Sequence, residues 1–435
     1  MNKPRELTQK HGNYRWTILS LVFFATTVNY LDRQVISLLK PILEKTFSWT
    51  ETDYSNIVIA FQSTYAIGLL GIGRIIDKIG TRLGYALSLT VWSFASIAHA
   101  LATSTFGFGV ARAALGLSEA GNFPAAIKAV AEWFPKKERA MATGIFNSGS
   151  NIGAIIAPFA VPWIAITWGW QQAFIITGAI GLIWLIFWFI FYEVPQKQKR
   201  LSKQEYKYIH SDTEETLNNK NVPVKGIKLL GFKQTWAFVF GKFMTDPIWW
   251  FLLFWLPSFL KTEYNMTGMQ VSLPLVVVYA LSSFGSIAGG WLSGHLIKKG
   301  WPVYKSRKAA MLAFALCVLP VVAAQYLGKI NPWFAVFVIG LAASAHQAWS
   351  ATIYTTSSDM FPKKAVASVV GIGSMAGAVG GILIARIAGA LLDHYKNLGH
   401  IETGYYIMFI ISGMAYLIAW IIMHLLAPKM THVKL

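Results

Sequence analysis

Charge is what this 435-residue chain has least of. Asp, Glu, Lys and Arg make up only 13% of it, where a soluble protein carries roughly a quarter. So few charges cannot solvate the surface of a water-soluble fold of this size. There is one cysteine, Cys317, within an apolar stretch, which excludes a disulfide framework and a CxxC metal site. No GxxxxGKS or GxxxxGKT phosphate loop, HExxH or GxSxG occurs, and the nine histidines are scattered. The chain therefore offers no nucleotide site, no catalytic constellation and no call for a cofactor or metal.

What it has instead is apolar length. Hydrophobic residues reach 55%, and they gather in runs of about 20, enough to cross roughly 30 Å of hydrocarbon. Hydropathy and breaks place twelve helices near 16–39, 54–75, 84–102, 106–128, 139–163, 172–193, 236–260, 271–297, 307–327, 332–355, 366–391 and 404–427. The net charge of +19 would by itself suggest a nucleic-acid partner, but its distribution argues against one. With the N-terminus inside, only Lys40, Lys45, Lys261, Lys329 and Lys396 fall in outer loops. Arg33, Arg112, Lys242 and Arg386 fall within helices, and the remaining Lys and Arg crowd the inner side. This is the positive-inside bias of a multi-spanning protein in a lipid bilayer, with both termini in the cytoplasm. The first apolar run follows Lys3, Arg5, Lys10 and Arg15 as a signal peptide would, yet it is too long and contains Asp32–Arg33; it reads as an uncleaved span.

The hydrophilic stretch 194–235 divides the helices six and six, giving an N-terminal bundle (1–193), a linker loop and a C-terminal bundle (236–435). Phe134-Pro135-Lys136-Lys137 recurs as Phe361-Pro362-Lys363-Lys364. The same register carries Gly144 onto Gly371 and Gly153 onto Gly380, inside Gly- and Ser-rich helices, so the halves read as a duplication. Two six-helix halves related by a parallel repeat, together with Gly73-Arg74-Ile75-Ile76-Asp77-Lys78-Ile79-Gly80-Thr81-Arg82 between helices two and three, resemble the major facilitator superfamily. The second-half counterpart, Gly290 to His295, is degenerate, with Gly294 where the Asp would stand. The segments Tyr30-Leu31-Asp32-Arg33, Arg112 through Glu119, Lys242, Asp246-Pro247, Trp249, His346-Gln347 and Ser357-Ser358-Asp359 are similar to the anion:cation symporters, and among them to bacterial hexuronate transporters. The resemblance implies an all-α membrane protein of two pseudo-symmetric bundles in the bacterial inner membrane, acting as a monomer. It would import a small organic anion with protons by alternating access. It also implies that Asp77 and Arg82 gate the conformational change.

Charges inside a span cost roughly 2.5–3.5 kcal/mol each, so those kept here need an account. Arg112 and Glu119 are two helical turns apart on one face, about 10 Å along the axis; Asp32 and Arg33 lie in the first span, and the four sum to zero. Arginine forks onto carboxylates, which makes Arg33 and Arg112 candidates for binding an anion. Asp32 and Glu119 can carry a proton, and the resemblance implies that they are the coupling pair and that Arg33 and Tyr65 touch substrate. The alternative is a static ion pair pinning helices one and four. Asn147 offers a partner for sugar hydroxyls. In the second half Lys242 is one turn before Asp246, Trp249 could stack on a sugar ring, and Pro247 and Pro257 are expected to break the helix that carries them. His346 stands at the position that the repeat relates to Glu119, and Gln347 beside it is a polar liner. A drug exporter or a non-transporting sensor on the same scaffold are the competing readings; the arginines argue against export of cations.

Overall fold

In the computed structural model of the chain, residues 12–211 and 226–433 are described. Lys3, Arg5 and Lys10, and Asp212, Glu214 and Glu215 of the linker, lie outside them, as do the side chains of Lys136, Lys137, Lys363 and Lys364. The first half comprises α1 (Tyr14–Phe47), α2 (Glu51–Ile79), α3 (Thr81–Ala98), α4 (Thr105–Glu119), α5 (Asn122–Trp133), α6 (Lys136–Trp168) and α7 (Trp170–Phe191). Short α8 (Lys203–Ile209) and α9 (Gly226–Leu229) follow. The second half is α10 (Lys233–Tyr264), α11 (Ser272–Lys298), α12 (Val303–Val318), α13 (Ala324–Ile330), α14 (Pro332–Met360), α15 (Lys363–Asn397) and α16 (Ile401–Leu426). With α4–α5 and α12–α13 each forming one rod, these make twelve membrane-length rods. Among the described residues nine helical stretches are long and apolar enough to cross a membrane by composition alone. The spans built on α1, α3 and α4–α5 are the more polar or broken ones.

The two halves repeat one packing plan. In the first, α1 lies on α6, α2 on α4 and α3 on α7; in the second, α10 lies on α15, α11 on α14 and α12 on α16. The repeated tetrapeptide takes the same backbone twice, with Pro135 at φ −64°, ψ 153° and Pro362 at φ −64°, ψ 149° preceding α6 and α15. A Cβ on Gly153 would strike Thr27 of α1, and one on Gly380 would strike Phe243 and Pro247 of α10. The glycine-rich runs thus serve close packing inside each half, a use of small residues common between membrane helices.

Several expected boundaries shift. The first helix continues through Pro41 to Phe47, so Lys40 and Lys45 lie in a helix and not in a loop. The fourth span breaks between Glu119 and Asn122, because Pro124 cannot donate to the carbonyl of Ala120 and crowds it. Conversely, α10 runs unbroken through Pro247 and Pro257. Near Pro257 the Phe254 carbonyl accepts from the Tyr54 hydroxyl at 2.9 Å, a route by which neighbouring helices satisfy a proline-weakened backbone.

The halves meet at the end of the molecule opposite the termini. There the Asp393 carboxylate of α15 accepts the backbone N–H groups of Glu51 and Thr52, both at 2.7 Å. These are first-turn donors of α2, which a helix cannot satisfy itself; Thr50 and Asp53 complete the cap with a local capping box. Glu51 in turn accepts both bonds of buried Lys40, at 2.7 and 2.8 Å, and one from Trp255 of the other half. The Ser55 hydroxyl donates to the Ala385 carbonyl, and that of Ser272 to Pro158. At the terminal end no hydrogen bond joins the halves among the described residues. A Cβ on Gly73, Gly144, Gly290, Gly294 or Gly371 would meet nothing there. The molecule is closed at the far end and parted at the terminal end.

Asp393→Ala is therefore expected to fold but to loosen the far end. Charge-assisted hydrogen bonds are worth about 1.5–3 kcal/mol each, so the far-end-open population should rise roughly tenfold or more. Spin labels at Ser48 and Asn397, measured by pulsed electron resonance, would report it as a longer distance component. An unchanged distribution would remove Asp393 from the closure.

Candidate functional site

At the heart of the first half a buried arginine is held by a carboxylate. Arg33 of α1 donates through Nε and Nη2 to Oε2 of Glu119, the last residue of α4, at 3.0 and 2.7 Å. Both side chains are almost fully buried. A third bond runs from Nη2 to Asn29 Oδ1 at 3.3 Å. Around the guanidinium stand Tyr30, Phe61, Tyr65 and, from the second half, Trp250, with ring centroids 4.8–5.5 Å from it. Aromatic faces of this kind attract a cation without neutralising it. The other carboxylate oxygen of Glu119, Oε1, is buried with no hydrogen-bond partner among the described residues.

The four charges read from the sequence as one cluster take three different arrangements. Arg112 does not pair with Glu119; its Nη2 donates to the backbone carbonyl of Arg33 at 2.7 Å, and Phe61 and Phe254 cover its guanidinium. Its Nε and Nη1 are buried without partners among the described residues. Asp32 points away from that pair, into the first half, where its Oδ1 accepts from Ser96 at 3.0 Å and its Oδ2 has no hydrogen-bond partner among the described residues. Adjacent residues on a helix face about 100° apart, so Asp32 and Arg33 necessarily look at different neighbours.

Across the gap, Lys242 pairs with Asp246 at 2.8 Å, one turn along α10, and also donates to the Tyr354 hydroxyl at 3.0 Å. Tyr354 belongs to α14, so this bond ties α10 to α14 inside the second half. The indole of Trp249 is stacked on the His346 ring, centroids 5.3 Å apart and 8° from parallel, which occupies a face expected to be open to a sugar. His346 Nδ1 lies 2.5 Å from the Tyr416 hydroxyl. Gln347 is half-buried beside it, and Asn147 on α6 is exposed. Asp77 and Arg82 bind within their own half, to Lys128 at 2.9 Å and Glu193 at 2.5 Å, where the halves are apart.

Sequence reading quoted Tyr30 within a motif but missed its place in a ring with Phe61 and Trp250, and it missed Tyr354, although Trp250 adjoins a residue it named. It also missed Gln62, whose amide nitrogen and oxygen are both buried without partners among the described residues, between Gly381 and Tyr65's turn of α2. A wholly buried, unbonded amide is costly enough to call for a partner.

Comparison with known proteins matches residues 22–385 to the family model described as the Major Facilitator Superfamily. The chain is 33% identical to the hexuronate transporter of Escherichia coli (strain K12) over 88% of its own length and 89% of the relative's. It is 35% identical to the galacturonate transporter of Dickeya chrysanthemi over 64% and 81%. Among solved structures it superposes on a bacterial homologue of the human lysosomal transporter Spinster with TM-score 0.77 at 18% identity, covering 96% of this chain and 98% of that one. It superposes on the D-xylose–proton symporter with TM-score 0.74 at 15% identity, covering 97% and 100%. With a family match over most of its length and this twelve-rod fold, the chain belongs to the major facilitator superfamily and is a multi-pass membrane transporter, not an enzyme.

Proposed function

We propose that this transporter is a proton-coupled symporter that imports a sugar-acid anion, a hexuronate first of all, by alternating access. The observation that carries the reading is the Arg33–Glu119 pair in its aromatic ring at the meeting of the halves. A guanidinium that donates twice to one carboxylate oxygen can donate to another carboxylate. While Glu119 is ionised it holds Arg33; once protonated it releases the guanidinium, which then needs an anionic partner. A substrate carboxylate supplies that partner, so proton and substrate bind as a unit. The similarity to transporters named for hexuronate and galacturonate supports the choice of acid.

In this reading Tyr65, Gln62, Asn147 and Gln347 bond the sugar hydroxyls, and Lys242 adds positive potential from the second half. Trp249 and His346 shape the far wall through their stack. Arg112 fixes the backbone at Arg33, and Asp32 is a second proton carrier set inside the first half. The moving bodies are residues 1–193 and 236–435, joined by 194–235 and working as a monomer in a bacterial inner membrane with both termini cytoplasmic. The parted terminal end then faces the cytoplasm, and Asp77 and Arg82 engage the other half only when that end closes.

Counterflow in proteoliposomes tests the substrate. Galacturonate or glucuronate should compete for uptake, while galactose at the same concentration should not, because a site built to bond a group strongly rejects an analogue lacking it. Equal competition by galactose would overturn the anion assignment. Arg33→Ala should abolish galacturonate binding in folded protein, and binding within a few-fold of wild type would remove Arg33 from the site.

Glu119→Gln, which keeps the shape of the protonated acid, should exchange galacturonate across the membrane yet fail to accumulate it on a pH gradient. Galacturonate affinity of the wild type should fall as pH rises, by up to about tenfold per unit where Glu119 loses its proton. In the variant the fall should be shallower, leaving only what Asp32 contributes. A pH-driven accumulation that survives the substitution would make Glu119 structural.

A further inference from the structure

Between the halves at the closed end lies a cavity of about 410 Å³, separate from the Arg33 site. Its walls come from α1, α6 and α10 and from the segment leading into α11, and they are almost wholly apolar: Leu38, Ile42, Ile166 and Val271 among them. Each of the three helices brings a proline to it, Pro41, Pro162 and Pro257. A proline lacks the N–H of a regular helix position and weakens its helix there, and all three of these rings line the trough. Two ammonium groups stand on the lining, Lys45 in the last turn of α1 and Lys261 in the last turn of α10. They belong to a repeated pattern, because Pro41-Ile42-Leu43-Glu44-Lys45 in the first helix of one half answers Pro257-Ser258-Phe259-Leu260-Lys261 in the first helix of the other.

Lys45 and Lys261 line the trough itself, and Lys40 and Lys396 lie at the same end of the molecule with Glu44, Glu51 and Asp393. Glu44 and Glu51 are taken up by Lys40, and neither Lys45 nor Lys261 makes an ion pair among the described residues. Four of the five lysines that the sequence sends to this end are thus gathered at one place, although few basic residues are expected there at all. An apolar trough with unpaired ammonium groups fits a ligand with a hydrocarbon part and an anionic head. A sugar acid, hydroxylated along its length, does not fit such walls.

We infer that this cavity is a binding site for an anionic phospholipid of the leaflet opposite the termini, with an acyl chain in the trough and the phosphate between Lys45 and Lys261. Basic side chains at the membrane surface each attract anionic lipid appreciably. Because α1 and α6 belong to one half and α10 to the other, the occupant bridges them and favours closure of the far end.

Native mass spectrometry of the purified full-length protein titrated with phosphatidylglycerol tests this. The wild type should retain one lipid that the double variant Lys45→Gln, Lys261→Gln holds roughly tenfold or more weakly, while phosphatidylcholine binds both weakly and alike. Ile166→Trp fills the trough and leaves both lysines, and it should lose the lipid too; circular dichroism and size exclusion establish that the variants are folded. In nanodiscs, replacing phosphatidylcholine with phosphatidylglycerol should shorten the Ser48–Asn397 label distance in the wild type only. Equal retention of phosphatidylglycerol by all three proteins would overturn the site. So would retention by Ile166→Trp alone, which would reduce it to surface charge, or displacement of the lipid by galacturonate, which would make it a substrate vestibule.

Discussion

The cap that Asp393 places on the first turn of α2 sets the state of the whole molecule. Helix N-termini expose amide groups that something must satisfy, and here two of them are satisfied by a carboxylate from the opposite half. Closure of one end is thereby written into the secondary structure of α2, and Glu51 extends it inward to Lys40 and Trp255. In the proposed alternating-access cycle, two packed bundles that pivot cannot be closed at both ends by the same short contacts. Joining them here leaves the glycine-lined faces of α2, α6, α11 and α15 apart at the terminal end. The site between inherits its exposure from that geometry.

Burying charge in the first half is made tolerable by pairing and by aromatic faces. Arg33 keeps its ion pair, its bond to Asn29 and four surrounding rings. Arg112 makes one backbone bond, and its Nε and Nη1 have no partner among the described residues. Breaking a buried pair by removing one partner generally costs about 3–5 kcal/mol, so a proton arriving at Glu119 leaves Arg33 strongly in want of an anion. That need couples the two ligands of the proposed cycle without any moving part beyond a side chain.

Much of this was legible in the sequence, and the limit is instructive. Arg33, Glu119, Lys242 and Asp246 stood out because charges within apolar runs are expensive, and the structure pairs them as Arg33–Glu119 and Lys242–Asp246. The duplication stood out because Phe-Pro-Lys-Lys recurs, and its backbone recurs with it. Pro124 carried the signal for the break after Glu119 but was passed over. Tyr30, Trp250 and Tyr354 were not readable, since an aromatic residue in a span is ordinary until its neighbours are known. Nor was Asp393, whose partner amides lie more than three hundred positions earlier and are chosen by how two helix ends meet. Which way Asp32 faces depends on the rotation of α1, and no spacing within the sequence fixes that.

The repeat also shows how one plan came to hold two chemistries. The step that takes Pro41 and Lys45 to Pro257 and Lys261 takes Arg33 to Trp249, and the step that takes Phe134 to Phe361 takes Glu119 to His346. At these paired positions the first half makes an ion pair and the second makes a stack of two nearly parallel rings. The two pairs join corresponding helices, α1 to α4 and α10 to α14, so the contact recurs in the second half with a different character. An ion pair can be opened by a single proton and then demands a new anion, whereas stacked rings with a tyrosine hydroxyl on the imidazole offer a wall that holds its shape. In the proposed cycle the chemistry of coupling would therefore reside in one half and the constancy of the cavity in the other, and rocking the two against each other would bring a responsive surface to bear on a fixed one.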